Sequence, residues 1–316
     1  DPGPYSLSSA DGVSFVDFGR TSSVLFQVVR DSVPIAMFKP MQSVEHSNYR
    51  GEIASYRLCT LLDCNLEMPA NHEVFLDAGQ LVDLTGVADF DAFRDIERRN
   101  SHMVFYEDDD RVWLYGSMED WVPDFTRLPI EYDDVWEDLV DIGVDADELH
   151  ARSLAEQLAP LRDRQRGYYD DILARTDDTS VWTLAWSLSD MHVFDELVNN
   201  HDRFLPDDER YGMNCHWRGG RILSLDNGAT FRTHAEEHNG EAFRHLRSVQ
   251  VFSRRLIDEV RWMDTDALFL ILFPPSAYHD DDLERYSDFL ERRDRLLEYV
   301  DDLVEDYGEE AVYVFP

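Results

Sequence analysis

Apolar and polar positions alternate through the first third of the chain and then change period. Val13 to Phe18 and Ser23 to Val29 read as two strands around Gly19-Arg20-Thr21, and Pro34 to Phe38 as a third that leads into Lys39. Tyr49 to Leu62 carries Ala54, Leu58, Leu61 and Leu62 at helical spacing and is predicted as a helix. Met103 to Glu107 and Val112 to Tyr115 bracket Asp108-Asp109-Asp110, the pattern of a hairpin. After Pro123 helical periodicity takes over, from Leu154 to Leu173, Trp182 to Asn199, His245 to Val260 and Leu283 to Tyr307, with a short strand at Arg221 to Leu225. The sequence therefore divides into a strand-rich lobe over 1–123 and a helix-rich lobe over 124–316, with no repeat and no long low-complexity linker.

Composition constrains the surroundings and partners. With 29 basic against 66 acidic residues the formal net charge is -37, which argues against nucleic acid or anionic membranes as partners. A 43% hydrophobic and 12% aromatic content supplies a large core, so the acid does not mark a disordered tail. The carboxylates are spread along the whole chain, in clusters such as Glu107-Asp108-Asp109-Asp110 and Asp280-Asp281-Asp282. Each cluster reads as solvated surface, and the pattern suits a protein adapted to high salt, where screening relieves repulsion. Cys59, Cys64 and Cys215 are odd in number and lack paired spacing. They predict neither a disulfide framework nor a zinc site, with Cys59 and Cys64 as packing residues. No apolar run is long enough to span a bilayer, and no signal peptide opens the sequence, which begins Asp1-Pro2-Gly3-Pro4. The expected location is the cytoplasm of a salt-adapted microbe, with export after removal of a leader as the alternative.

Candidate chemistry starts from one residue. The chain holds a single lysine, Lys39, at the end of an apolar strand, and its other 28 basic side chains are arginine. A strand followed by a lone lysine, in a strand-rich lobe that precedes a helical one, is the layout of an α+β, protein-kinase-like fold, in which such a lysine reaches phosphates. Glu52 falls between Tyr56 and Cys59 on a helical wheel, at the edge of an apolar face. A carboxylate there calls for a cationic partner, because burial without one costs several kcal/mol, and Lys39 is the nearest in sequence. In the second lobe a polar Asn200-His201-Asp202-Arg203 cluster closes an apolar helix, and Ile222-Leu223-Ser224-Leu225-Asp226-Asn227-Gly228 is a strand ending in an acid and a turn. Phosphoryl transfer needs positioning and charge neutralisation. Asp202 is placed to accept the proton of an incoming hydroxyl, and Asp226 to ligate a divalent metal that bridges the phosphates.

Asp190 to Arg203 followed by Leu225-Asp226-Asn227-Gly228 resembles the secretory-pathway kinases, the Golgi casein kinase and four-jointed family, with their Asp-x-x-Val/Ile-Phe-Asp-x-Leu-x-x-Asn-x-Asp-Arg loop and Leu-Asp-Asn metal motif. The resemblance extends over both lobes. It includes Phe38-Lys39-Pro40-Met41, Gly51 to Tyr56 with Met68-Pro69, Gly116-Ser117 through Pro123-Asp124, Ser248 to Phe252, and Arg292-Arg293 to Tyr307-Gly308. Asn214-Cys215-His216 through Asp226-Asn227 is similar to the four-jointed branch. The resemblance implies that Lys39 and Glu52 anchor ATP, that Asp202 is the catalytic base, and that Asp226 binds Mn or Mg. The chain departs from the pattern in three places. Asp207 stands where protein kinases place a second metal-binding asparagine, so Asn214, after an acidic insertion, is the candidate substitute. The cysteine pairs of the Golgi branch are missing. No G-x-G-x-x-G loop appears, which leaves Gly19-Arg20-Thr21-Ser22-Ser23 to cover the phosphates. His192 and His201 read as packing or surface residues.

The expected activity is ATP- and metal-dependent transfer of phosphate to a hydroxyl, of serine or threonine in a protein. A sugar or small-molecule kinase of the same fold is the alternative, and a pseudokinase that binds nucleotide and activates a partner is a third. Neither the acceptor nor the oligomeric state is encoded in these motifs.

Overall fold

A computed structural model describes residues 7–18, 23–43, 47–98, 103–108, 111–130, 133–175, 180–200, 203, 214–232, 241–273 and 280–316. The chain forms two compact units, Asp1–Tyr56 with Pro69–Pro123, and Arg57–Met68 with Asp124–Pro316.

The first unit is built on an antiparallel sheet. Its strands are β1 (Val13–Asp17), β2 (Phe26–Arg30) and β3 (Val33–Pro40). The helix α1 (Tyr49–Leu62) follows, of which the residues up to Tyr56 belong to this unit, then β4 (Asn71–Asp77), α2 (Ala78–Thr85), α3 (Phe90–Arg98), β5 (Tyr106–Asp108) and β6 (Arg111–Asp120). The strand order is β1-β2-β3-β6-β4, with β5 paired to β6. Period-two alternation sends Phe15, Phe26, Phe38, Leu114 and Met118 into one core, where Leu81 and Leu84 of α2 and Phe93 of α3 join them. The rings of Phe15, Phe26 and Phe38 lie 5.2 to 6.2 Å apart, centre to centre. This buried face holds β3, and with it Lys39, in register.

One glycine is required by that register. Gly116 pairs with Pro40 across the β3–β6 ladder. A Cβ there would meet the Lys39 carbonyl oxygen and the Phe38 ring at 2.5 Å each, closer than any side chain can approach. The strand that carries the lysine can lie against β6 only because this position has no side chain.

The second unit is mostly helical. It contains β7 (Thr126–Arg127), α4 (Asp133–Trp136), α5 (Ala146–Ala151), α6 (Leu154–Gln157), α7 (Ala159–Arg164), α8 (Arg166–Ala174) and α9 (Val181–Val198). Then come β8 (Cys215–Arg218), β9 (Arg221–Ser224), α10 (Glu241–Leu246), α11 (Arg254–Trp262), α12 (Thr265–Leu272), α13 (Asp282–Tyr307) and α14 (Glu309–Val312). Strands β7, β8 and β9 form a small antiparallel sheet. The helix α9 is buried nearly all round, with Asp190, Asp195 and Glu196 buried among its apolar side chains. The segment Arg57–Met68 belongs to this unit because Glu67 bridges β9, donating its N–H to the Ile222 carbonyl and accepting from the Ser224 N–H.

Three sequence expectations are corrected. Cys59 and Cys64 are not separate packing residues but form a disulfide, with Cα atoms 5.4 Å apart. The helix ends at Leu62, and Asp63 takes a left-handed φ of 47°, which turns the chain back so that the two thiols meet. The helical stretch from Leu154 to Leu173 is broken into α6, α7 and α8. The stretch from His245 to Val260 is broken as well: the N–H groups of Gln250, Val251 and Phe252 bond the Val140 and Val312 carbonyls instead of a helical turn. These bonds between distant segments outweigh local periodicity.

Candidate functional site

In the first unit, Lys39 sits within β3 rather than after it, opposite Ser117 of β6. The lysine is 6% exposed and Ser117 is buried. Glu52 lies in the first turn of α1 and is 3% exposed. Lys39 Nζ donates to Glu52 Oε1 in a buried ion pair. The structure thus brings the only lysine of the chain onto the one glutamate that the helix places at its apolar edge. Two charges out of water each cost several kcal/mol, so such a pair contributes little net stability unless its geometry and further hydrogen bonds repay that cost. Nearby, Gln42 ties down the chain ahead of β2. Its side-chain Oε1 accepts from the Val24 N–H at 2.9 Å, and its Nε2 donates to the Val24 carbonyl at 3.1 Å and to Ser47 Oγ at 2.8 Å. Sequence reasoning missed Gln42; a buried polar side chain just after the lysine strand was the available signal. Of the segment Gly19 to Ser23, only Ser23 lies within the described residues.

In the second unit, Asp202, Asp207 and His201 lie outside the described residues, while Arg203, Asn214 and Asp226 lie within them. Asp226 follows β9 in a left-handed conformation, φ 53° and ψ 60°, a region aspartate tolerates better than most residues. It is exposed, and its side chain does not cap the short turn Asn227–Ala229. The β8–β9 ladder ends at Cys215 opposite Ser224. Asn214 immediately precedes β8, and Asp226 comes two residues after the end of β9. Both offer hard oxygen ligands suited to Mn or Mg. Among the described residues no group of three His, Cys, Asp or Glu side chains is assembled. One carboxylate and one amide fit an ion whose remaining ligands are phosphate oxygens and water.

Behind Asp226 is a buried network that sequence reasoning did not assign. Arg203 is fully buried, its Nε donating to Asp195 Oδ1 at 2.9 Å with Oδ2 at 2.8 Å. Its Nη1 donates to the Asn214 carbonyl at 2.6 Å, and its Nη2 to Asn227 Oδ1 at 2.9 Å and to Ser224 Oγ. Burial pushes the Asp195 carboxyl up to about 6, against the opposing charge of Arg203. His216 of β8 packs against Phe125 with the rings tilted and their centres 4.8 Å apart. Its imidazole is pushed down to about 4 by burial and then by the charges of Arg203 and Arg127, so it is neutral near pH 7. His192 is likewise pushed down to about 3 by burial, a packing residue of α9.

Asp190, also on α9, accepts the Asn65 N–H at 2.8 Å and so fixes the segment that follows the disulfide. Burial raises its carboxyl from 3.8 to about 7, with the Asn65 hydrogen bond and the charge of Arg255 opposing. A carboxyl that binds its proton more tightly when folded makes stability fall as pH rises from about 4 through about 7, and level off above that. Asp190→Asn keeps the acceptor and removes the charge. The variant should gain on the wild type by roughly 2–4 kcal/mol between pH 5 and pH 8 in denaturant titrations. Parallel stability curves for the two proteins across that range would exclude an ionising Asp190.

No family model matches this sequence, and no curated protein does. Among solved structures the chain is similar to the Golgi casein kinase, with a TM-score of 0.52 and 15% identity over 97% of this chain and 77% of that one. It is also similar to the Golgi casein kinase with Mn/ADP bound, at 0.53 and 14% over 96% and 75%. Hydra Fam20 with sugar aligns at 0.56 and 12% over 97% and 90%. At such identities the likeness establishes the fold: mixed helix and sheet, with the architecture of these kinases. No described helix is long and apolar enough to cross a membrane.

Proposed function

We propose that the protein is an ATP- and divalent-metal-dependent kinase that transfers the γ-phosphate to a hydroxyl, that of serine or threonine in a protein. The observation that carries this reading is the buried Lys39–Glu52 ion pair on β3 and α1. Lys39 binds the α- and β-phosphates, and Glu52 holds the ammonium in place for them. Asp202 takes the proton as the acceptor oxygen bonds to phosphorus and the bond to the departing diphosphate oxygen breaks. Asp226 and Asn214 would hold Mn or Mg, which would supply neutralisation of the phosphate charge. A solved neighbour that carries Mn/ADP supports nucleotide and metal use. Another neighbour, solved with sugar, favours a glycan hydroxyl as the second acceptor to try. The likeness to the four-jointed branch in the second lobe, and adaptation to high salt, belong to the same proposal. For the compartment, the Cys59–Cys64 bridge supports an oxidising one over the cytoplasm.

Purified protein in molar salt with radiolabelled ATP and Mn or Mg should label a Ser/Thr peptide library, and a parallel screen of glycans separates the two acceptor classes. Nucleotide-dependent thermal stabilisation without turnover would instead mark a pseudokinase. Absence of both labelling and stabilisation would overturn the nucleotide-binding reading altogether.

A further inference from the structure

The guanidinium of Arg203 links four segments of the second unit. It bonds Asp195 on α9, the carbonyl of Asn214 at the start of β8, Ser224 at the end of β9, and Asn227 in the turn after Asp226. Asn227 Oδ1 is the meeting point, accepting also from Ser224 Oγ at 3.0 Å and from Asn200 Nδ2 at 3.3 Å. The Asn227 side chain is thereby turned inward and buried, while its neighbour Asp226 is exposed in a left-handed conformation. The two metal-ligand candidates are therefore held from behind, Asn214 by its backbone and Asp226 through the next residue. Arginine suits this place because its planar fork offers five N–H donors in fixed directions, and lysine's compact ammonium could not reach acceptors on four segments at once.

We propose that Arg203 is a positioning residue for the metal: it sets the spacing between Asn214 and Asp226 through the Asn227 side chain, without touching the ion. This rests on the kinase reading above. Arg203 also follows Asp202, the candidate base, directly in the sequence. Partners one layer behind a metal ligand change affinity by about 10- to 100-fold when replaced.

The test measures Mn uptake by electron paramagnetic resonance, with ADP present in molar KCl. Asp226→Ala serves as the background for weak binding to surface carboxylates. Arg203→Lys, which keeps the charge beside Asp195 but loses the fork, should weaken the Asp226-dependent Mn signal by about 10- to 100-fold. Its kcat should fall while KM for ATP is retained. Asn227→Leu removes the shared acceptor without removing the arginine and should weaken Mn in the same way, so it decides the matter if Arg203→Lys fails to fold. Mn affinity equal to wild type in whichever of the two variants folds would overturn the proposal. A wild type with no Asp226-dependent Mn signal would overturn the kinase reading and this inference together, whereas normal wild-type uptake with indifferent variants sinks this inference alone.

Discussion

Alanine in place of Asp226 should cut phosphoryl transfer by about 10³-fold or more while lowering stability by only about 1 kcal/mol. Asp226 is exposed and its side chain caps no helix. Alanine gives up aspartate's tolerance of the left-handed backbone at this position, a cost of about 1 kcal/mol. On the proposed function the variant would lose the carboxylate that is to hold the metal, and so a neutralisation of charge on the transferring group worth several kcal/mol in the transition state. Asp202→Ala removes the proton acceptor, a loss of roughly 10²- to 10⁴-fold. The two variants should differ in what they bind: Asp202→Ala retains Mn with ADP, and Asp226→Ala does not. Initial rates of phosphate transfer, with Mn uptake measured on the same samples, check both. Full activity in Asp226→Ala would remove this residue from the metal site.

The second large effect concerns the ion pair of the first unit. Glu52→Ala should destabilise the protein by about 3–5 kcal/mol, because the Lys39 ammonium would stay buried without its counter-ion. Lys39→Met should be costly for the mirror-image reason. The double variant Lys39→Met with Glu52→Leu should recover most of that loss, since apolar side chains of similar volume often replace a buried pair at no net cost. It should not recover nucleotide binding. In wild type, ATP at a hundredfold its Kd should add about 2.7 kcal/mol of stability; the double variant should show none of it. Thermal melts with and without ATP and Mn make the comparison. If the double variant were still stabilised by nucleotide, the pair would be a feature of folding and not an anchor for phosphates.

Much of the fold was legible because its signals are local. The helix Tyr49–Leu62 has the bounds that its apolar spacing predicts, and β1, β2, β3 and β9 fall where alternation places them, within three residues at every end. Glu52 could be singled out because a carboxylate at the margin of an apolar helical face needs a cation, and the strand-borne Lys39 supplies it. Where the periodicity misled over His245 to Val260, competing hydrogen bonds came from far along the chain; over Leu154 to Leu173 the breaks are local, with a proline in the first turn of α7 and a non-helical Gln165 before α8. The Arg203 network had a visible clue, an arginine next to the candidate base, yet its partners Asp195, Asn214, Ser224 and Asn227 are 8, 11, 21 and 24 residues away. Gln42 and Asp190 gave less, since a lone polar residue in an apolar setting does not announce which backbone group it will satisfy.

By itself the sequence determined the strand and helix periods, the acid-rich composition and the uniqueness of Lys39, all of which can be counted without knowing where the chain goes. Only the tertiary structure decided that Cys59 and Cys64 are joined. In a continuing helix two residues five apart face different directions, and a left-handed Asp63 brings them together. Only the tertiary structure, too, turned Asn227 inward onto Arg203 and left Asp226 outside. A buried guanidinium must find acceptors for its donors, and which acceptors lie within reach is a property of the packed chain, not of its order.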